Sequence, residues 1–337
     1  MTVIAGVTIP ATSSPAEART RVATLRVGSF NIVSVSTDPN ASGNHRKWRF
    51  RRPVIASHIL SRRLDVVGLQ EANQSSIYRR SLRYGINQFM DLRGALAAKG
   101  GRYAVTNRYA YNCLRSTSKA NCRYRNRGAA QDNRILYNTR TVTKLRQGSV
   151  RFYRQSAGKN PRYLAWAVFR HKRTGKQFFF ATTHLDPYST SVRKAQWRQT
   201  IRSINRLKRS RQVVVVGDFN TSKFDRHART YLPAMKRNGY GDVLNQTYRR
   251  PFVRSPRARW KKHGWVSSYN GFRRSVRSYG YVSSKRKVGN GIDWIFASNR
   301  IRVRQWEVVS NINMRTYRVR GVMPSDHSLV RATLALR

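Results

Sequence analysis

Carboxylates are scarce in this chain: 13 Asp and Glu stand against 68 Lys and Arg in 337 residues, a formal net charge of +55. Self-repulsion at that charge opposes compaction, so the natural partner is a polyanion. Of the cations 53 are Arg and 15 are Lys, and arginine's planar fork matches phosphate geometry. Nucleic acid is the expected polyanion, ahead of an anionic membrane or cell wall, which charge alone does not separate from it. Cysteine is almost missing as well. Two residues, Cys113 and Cys122, exclude a disulfide-dense scaffold, and no CxxC or Cys/His spacing offers a zinc centre. No run of 18 apolar residues occurs, so no membrane-spanning helix is expected. Hydrophobic residues still make up 39% of the chain, enough for a core in one large domain.

The few acids that remain are informative by position. Helix caps and turns account for Asp65, Asp225 and Asp242. They account poorly for Glu71, Asp218, Asp293 and Asp326, which stand beside strand-like runs. The start of the chain, "MTVIAGVTIPATSSPAEARTR", reaches a small-x-small triplet at Ala16-Glu17-Ala18 but has no cation before Arg19. Residues 1–24 are expected to be a leader or disordered segment of a secreted or surface-held protein. In such a protein Cys113 and Cys122 would staple their loop by one disulfide; two unrelated thiols is the other reading.

Residues 25–337 read as a single layered α/β domain with two sheets. Strands are expected over 24–35, 65–69, 133–138, 163–171, 177–183, 213–218, 291–298 and 329–336, with helices over 54–63, 88–99 and 192–209. Residues 243–292 differ, with 13 Lys or Arg and no acid, and mark a basic, aromatic-rich insertion at 243–290. Its rings and arginines suit a nucleic-acid surface, or else aromatics packed on the domain with arginines facing solvent. Residues 92–131, with nine Lys or Arg and no acid, offer a second basic surface.

The strand ends carry the chemistry. Asn31, Glu71, Asp293 and Asp326 supply hard oxygen donors, which suit Mg²⁺, Mn²⁺ or Ca²⁺ rather than zinc. His184 and His327 exchange protons near neutral pH. In "VVVVGDFNTS" the strand runs straight into Asp218 and Asn220, a pair able to orient a water and a phosphate oxygen. A cation, a histidine and a positioned water are what hydrolysis of a phosphodiester needs.

Six strings in order resemble the endonuclease/exonuclease/phosphatase family, the fold of pancreatic-type deoxyribonuclease. They are "SFNI" (29–32), "LQE" (69–71), "THLD" (183–186), "GDFN" (217–220), "IDWIFAS" (292–298) and "SDH" (325–327). The resemblance implies a four-layer α/β sandwich, two packed mixed β-sheets flanked by helices. It implies metal binding by Asn31 and Glu71, with Asp326 as ligand or support. It implies that Asp218 orients or deprotonates the water and Asn220 holds the phosphate. His327, paired with Asp293, would act at the reaction centre, and His184 on a phosphate or leaving-group oxygen. An acid orienting His184 would be Asp132, or its counterpart would be Asn133. The family skeleton serves several phosphate esters. With +55, the implied activity is a monomeric, divalent-metal-dependent nonspecific endonuclease of DNA, with RNA also a substrate class. A sphingomyelinase-type phospholipid phosphodiesterase and a non-catalytic nucleic-acid-condensing protein are the alternatives.

Overall fold

The computed structural model describes residues 22–107, 131–244, 258–279 and 289–336. Residues 1–21 of the expected leader, both cysteines and parts of the two basic stretches lie outside them. The elements begin with β1 (Ala23–Asn31), α1 (Trp48–Ser61), β2 (Val66–Gln70), α2 (Gln88–Ala97), β3 (Tyr103–Val105), β4 (Arg134–Asn138) and β5 (Val142–Arg151). They continue with β6 (Tyr163–His171), β7 (Gln177–His184), α3 (Thr190–Leu207), β8 (Gln212–Asp218), α4 (Ala228–Arg237) and β9 (Tyr240–Asp242). The last are β10 (Ala258–Lys262), β11 (Asp293–Ser298), β12 (Arg302–Val309), β13 (Ile312–Asn313), β14 (Arg318–Val319) and β15 (Leu329–Leu336). None of the described helices is long and apolar enough to cross a membrane.

Two large sheets pack face to face. One has the order β10-β12-β15-β1-β2-β4-β3, the other β5-β6-β7-β8-β11-β9. Each central parallel pair, β1 with β2 and β7 with β8, is joined through a helix, α1 and α3 respectively. Strands covered on both faces need apolar side chains on both, which is why "VVVV" is unbroken. Its residues divide by parity. Val214 and Val216 meet Val27, Val66 and Val330 between the sheets, whereas Val213 and Val215 pack outward on Trp197, Ile201 and Tyr231 of α3 and α4. On the far side α1 and α2 cover Phe30, Val67 and Leu69. The layers are therefore α/β/β/α, the four-layer sandwich expected from the sequence.

Several elements differ from the sequence reading for local reasons. Helix α1 starts at Trp48, not at residue 54, because both Asp38 carboxylate oxygens accept the Trp48 N–H at 2.9 Å. That cap lies ten residues upstream, outside any local pattern. Strand β5 was not expected: it is an edge strand with a mostly polar sequence and a bulge between Lys144 and Arg146. A bulge at Val303/Gln305 likewise breaks the alternation of β12, and Pro233 obscures α4. The 243–290 stretch packs its described parts against the sandwich. Its β10 pairs parallel with β12, while Trp265 and Tyr279 pack on the core and Trp260 stays 43% exposed. The reading in which the aromatics pack on the domain thus holds for Trp265 and Tyr279.

The sheets approach each other closely at Gly68. A Cβ there would lie 2.4 Å from Val216 Cγ2 and 2.5 Å from Thr182 Oγ1, and next to it Gln70 Nε2 donates to Thr182 Oγ1 at 2.8 Å. Overpacking of this kind costs about 1–3 kcal/mol. Gly68→Ala is accordingly expected to lower the stability measured by chemical or thermal unfolding by that amount. An unchanged melting temperature would mean that the sheets separate freely at this point.

Candidate active site

Register alone assembles much of the site. Asp218 ends β8, where the parallel ladder sets it beside His184 of β7 and the antiparallel ladder sets it beside Asp293 of β11. In the facing sheet Asn31 ends β1 opposite Gln70, and Glu71 follows directly. Glu71 and Asn220 take φ of 55° and 46°, a left-handed conformation uncommon outside glycine that ends each strand abruptly. His327 enters just before β15, bridged to Tyr269. Every sequence-expected residue, Asn31, Glu71, His184, Asp218, Asn220, Asp293, Asp326 and His327, therefore lies at one end of the sandwich.

Asp218 is the hub. Its Oδ2 accepts from Asn31 Nδ2 at 3.3 Å, while His184 Nε2 and His327 Nε2 stand 3.5 and 3.7 Å away. Its Oδ1 accepts the Asn220 backbone N–H at 2.9 Å. His327 donates from Nδ1 to Asp293 Oδ2 at 2.8 Å, and its Nε2 lies 4.0 Å from Asp326 Oδ1. Asn31 also donates from Nδ2 to Glu71 Oε1 at 2.9 Å, and its Oδ1 accepts the Val33 N–H at 3.1 Å. Toward the two acids Asn31 is thus a donor, and the oxygen expected to meet a cation faces the Val33 amide. The Asn220 side-chain amide donates to the Leu185 carbonyl at 2.9 Å. Asn31, His184, Asp218, Asp293 and His327 are buried, whereas Glu71, Asn220 and Asp326 are half-buried at the mouth.

Burial and charge set the protonation states. Burial pushes the Asp218 carboxyl up to about 7, with His327 opposing and Asp293 adding to the rise. Burial would lower His327, but Asp293, Asp218 and Asp326 outweigh it and hold the ring well above its ordinary value. His184 is driven well below its ordinary value by burial, with Arg162 and His327 adding to the effect. One imidazole is therefore held cationic and the other neutral, on either side of one carboxylate.

The donor set fits a hard divalent cation. Burial raises the Asp326 carboxyl, and the charges of Glu71 and Asp293 raise it further, a repulsion that a cation between them would relieve. Among the described residues, one group of three possible ligand atoms lies within 4.8 Å of one another: Asp218, Asp293 and His327. Asp293 Oδ2 and His327 Nδ1 are hydrogen-bonded to each other, while Asp293 Oδ1 is buried without a partner among the described residues; Glu71 and Asp326, half-buried at the mouth, are the more accessible carboxylates.

Asp132 and Asn133 do not orient His184. Among the described residues Asp218 is the carboxylate within 4.0 Å of that ring, and Asn133 donates to the Tyr163 carbonyl at 3.0 Å. Asp132 instead helps line a cavity of about 230 Å³ with Glu71, Arg162 and His184, its carboxyl raised to about 6 by burial. Other contributors had no local sequence signal. The fully buried Arg51 guanidinium donates to the carbonyls of Ile32 at 2.7 Å, Arg46 at 2.8 Å and Pro324 at 3.2 Å. It thereby ties the loop after Asn31 to the loop before Asp326. Ser325 Oγ donates to the Asn31 carbonyl at 2.7 Å. Ser268 Oγ accepts the Ile292 and Asp293 amides at 3.1 Å, and the Tyr269 ring meets His327 edge-on at 5.1 Å.

With this geometry in place, comparison with known proteins is informative. The model of the endonuclease/exonuclease/phosphatase family matches residues 40–327. No curated protein matches the sequence. An endonuclease/exonuclease/phosphatase family protein from Bacteroides thetaiotaomicron is 18% identical with a TM-score of 0.67, covering 94% of this chain and 99% of its own. A mannosyl-6-phosphatase from the same organism is 18% identical with a TM-score of 0.64, covering 93% and 100%. D. rerio TDP2, complexed with a single-strand DNA product, is 16% identical with a TM-score of 0.56, covering 92% and 98%. At such identities the likeness shows a common fold.

The Asp293–His327 pairing has a direct spectroscopic signature. In Asp293→Asn the His327 ring loses its principal anion, so its NMR titration in EDTA is expected to move down toward or below the ordinary histidine value. A His327 titration that stays high in the variant would remove Asp293 from this role.

Proposed function

Because the chain belongs to the endonuclease/exonuclease/phosphatase family, we propose that it is a divalent-metal-dependent phosphodiesterase that cuts DNA internally and without sequence preference. One observation carries the reading: a buried Asp293–His327–Asp218 line, faced by His184, in a chain of net charge +55. The first half is a hydrolytic centre, and the second is a polyanion-binding body. Arginines interleaved with exposed rings such as Trp260 and Tyr269 support nucleic acid as the polyanion.

The mechanism follows from the protonation states. Asp293 fixes Nδ1 of His327 as a donor, leaving Nε2 facing the cleft with a proton to offer. A cationic ring there donates to a phosphate oxygen and stabilises the charge that builds on it. Asp218, with a pKa of about 7, is poised near neutral pH to align a water and accept its proton. His184, kept neutral, and Asn220 stand across from His327, where each can donate one N–H to a phosphate or leaving-group oxygen. Glu71 and Asp326, beside Asn31, would hold Mg²⁺, with Mn²⁺ or Ca²⁺ as substitutes, and the ion supplies charge neutralisation and polarisation of the ester.

The reading predicts that supercoiled plasmid with Mg²⁺ is nicked and then linearised, and that EDTA abolishes this. His327→Ala should lose at least about a hundredfold in rate, in the range of a missing general acid or charge stabiliser. Its DNA retention on gels run without deproteinisation should be nearly intact. Intact plasmid in every lane, with turnover of RNA, a phosphomonoester or sphingomyelin instead, would reassign the substrate. Affinity should also fall with salt, log K against log salt having a slope of about −0.9 per phosphate engaged. A flat dependence would count against arginine-driven binding.

A further inference from the structure

Among the described residues, two cavities at opposite ends of the sandwich differ in the cations that line them. The cavity at the catalytic end has Arg162 as its lining cation, among the acids Glu71 and Asp132. The opposite end holds a groove of about 740 Å³ whose lining includes Arg26, Arg140, Lys172, Arg173 and Arg304 against one acid, Asp65. Both sheets contribute to it. Arg26 comes from β1 and Arg304 from β12, Arg140 from the turn between β4 and β5, and Lys172 with Arg173 from the β6–β7 hairpin.

The single acid is already committed. Asp65 Oδ2 accepts the Arg26 backbone N–H at 2.7 Å and lies 4.0 Å from its guanidinium. Arg140, Lys172, Arg173 and Arg304 are exposed, and none has a carboxylate within 4.0 Å among the described residues. Four such charges converging on one concavity repel one another unless an anion enters between them. The concave form matters too. A bilayer presents a plane and favours a convex basic face, whereas a groove between two sheets receives a rod or strand.

Distance decides what that strand is. From Thr24 to Asn31, β1 spans seven residue steps, roughly 23 Å at about 3.3 Å each. Duplex DNA is stiff over about 150 base pairs, so a segment seated on the catalytic end does not also reach the groove. Resting on the nucleic-acid reading of the catalytic end, we infer that this groove is a second phosphate-backbone site. One molecule then holds two nucleic-acid segments at once, cutting one and retaining the other.

The test uses the full chain carrying His327→Ala, so that nothing is cut, with one duplex immobilised and a second, fluorescent duplex in solution. The protein is expected to capture the fluorescent duplex on the immobilised one. Adding Arg140→Gln, Arg173→Gln and Arg304→Gln should reduce capture at least about tenfold and flatten the salt slope by about 2.7, since each phosphate contact contributes about 0.9. In the chain with His327 intact, the same three changes should leave cleavage of a short duplex within about twofold. Single substitutions, such as Arg173→Gln alone, should flatten the slope by about 0.9 and serve if the triple variant does not fold. Capture that survives all the substitutions overturns the inference while leaving the catalytic reading in place. Loss of short-duplex cleavage alongside capture also overturns it, because the arginines would then serve the catalytic end. Capture by anionic vesicles that depends on the three arginines, with duplex capture unaffected, would make the groove a membrane contact instead. A protein that neither binds nor cuts nucleic acid would take both readings down together.

Discussion

The close approach of the two sheets around Gly68 is the constraint on which the catalytic end depends. With no Cβ at that residue, β2 settles against Thr182 and Val216, and the Gln70–Thr182 hydrogen bond holds the contact just inside the strand ends. At the strand ends themselves, Asn31 level with Gln70 and Asp218 two residues beyond Val216, the sheets bring Asn31 Nδ2 and Asp218 Oδ2 within 3.3 Å. A methyl group at Gly68 would not touch a single site residue. It would still widen the gap that lets an amide from one sheet hold a carboxylate from the other. Packing therefore comes before chemistry here, since register sets which residues line up and sheet separation sets whether they meet.

That meeting concentrates negative charge in a chain that has little of it. Several acids are committed elsewhere to folding. Asp38 caps α1 and lies 3.5 Å from Arg51, Asp91 takes Arg52 and the Trp48 indole, and Glu307 takes Arg62 and Arg331. In each case the acid has an arginine within ion-pair distance. Asp218, Asp293, Asp326 and Glu71 instead face one another across His327 and Asn31, without an Arg or Lys ion pair among the described residues. Arg51 sits beneath them, but it gives its donors to backbone carbonyls. It ties the loops together without forming an ion pair within 4.0 Å with any of the four carboxylates.

This difference explains what was legible in the sequence. The site residues could be found because each follows an apolar run that must be a strand, and a polar residue at such a boundary has few structural duties. "VVVVGDFN" and "FFFATTHLD" both carry that signal. Arg51 could not be found in this way, since its partners are main-chain carbonyls at Ile32 and Pro324, the latter 273 residues away. Ser268 and Ser325 likewise act through backbone atoms, which sequence does not display. The reading of Asp132 went astray for a related reason. Proximity in sequence to "NRILY" placed it near His184 correctly, but its carboxyl points into the adjoining cavity and the ring turns toward Asp218. Strand β5 and the bulged β12 were missed because an edge and a bulge each suppress the alternation that marks a strand.

The arrangement carries an internal conflict that bears on how a substrate engages. If the substrate is a duplex, as proposed, it meets +55 at a distance and is attracted. Mobile ions screen that field over about 8 Å at physiological ionic strength, so within the cleft the local carboxylates govern. A phosphate arriving beside Asp218, Asp326 and Glu71 meets repulsion that the cationic His327 offsets only in part. A divalent cation between Glu71 and Asp326 would reverse the sign of the field at the mouth, where those two side chains are half-buried and reachable. The cation would then govern productive docking as well as the chemical step, while affinity measured without it would report the arginine surfaces alone. On the proposed reading, binding and turnover would thus rest on different residues, at different depths, with opposite charge.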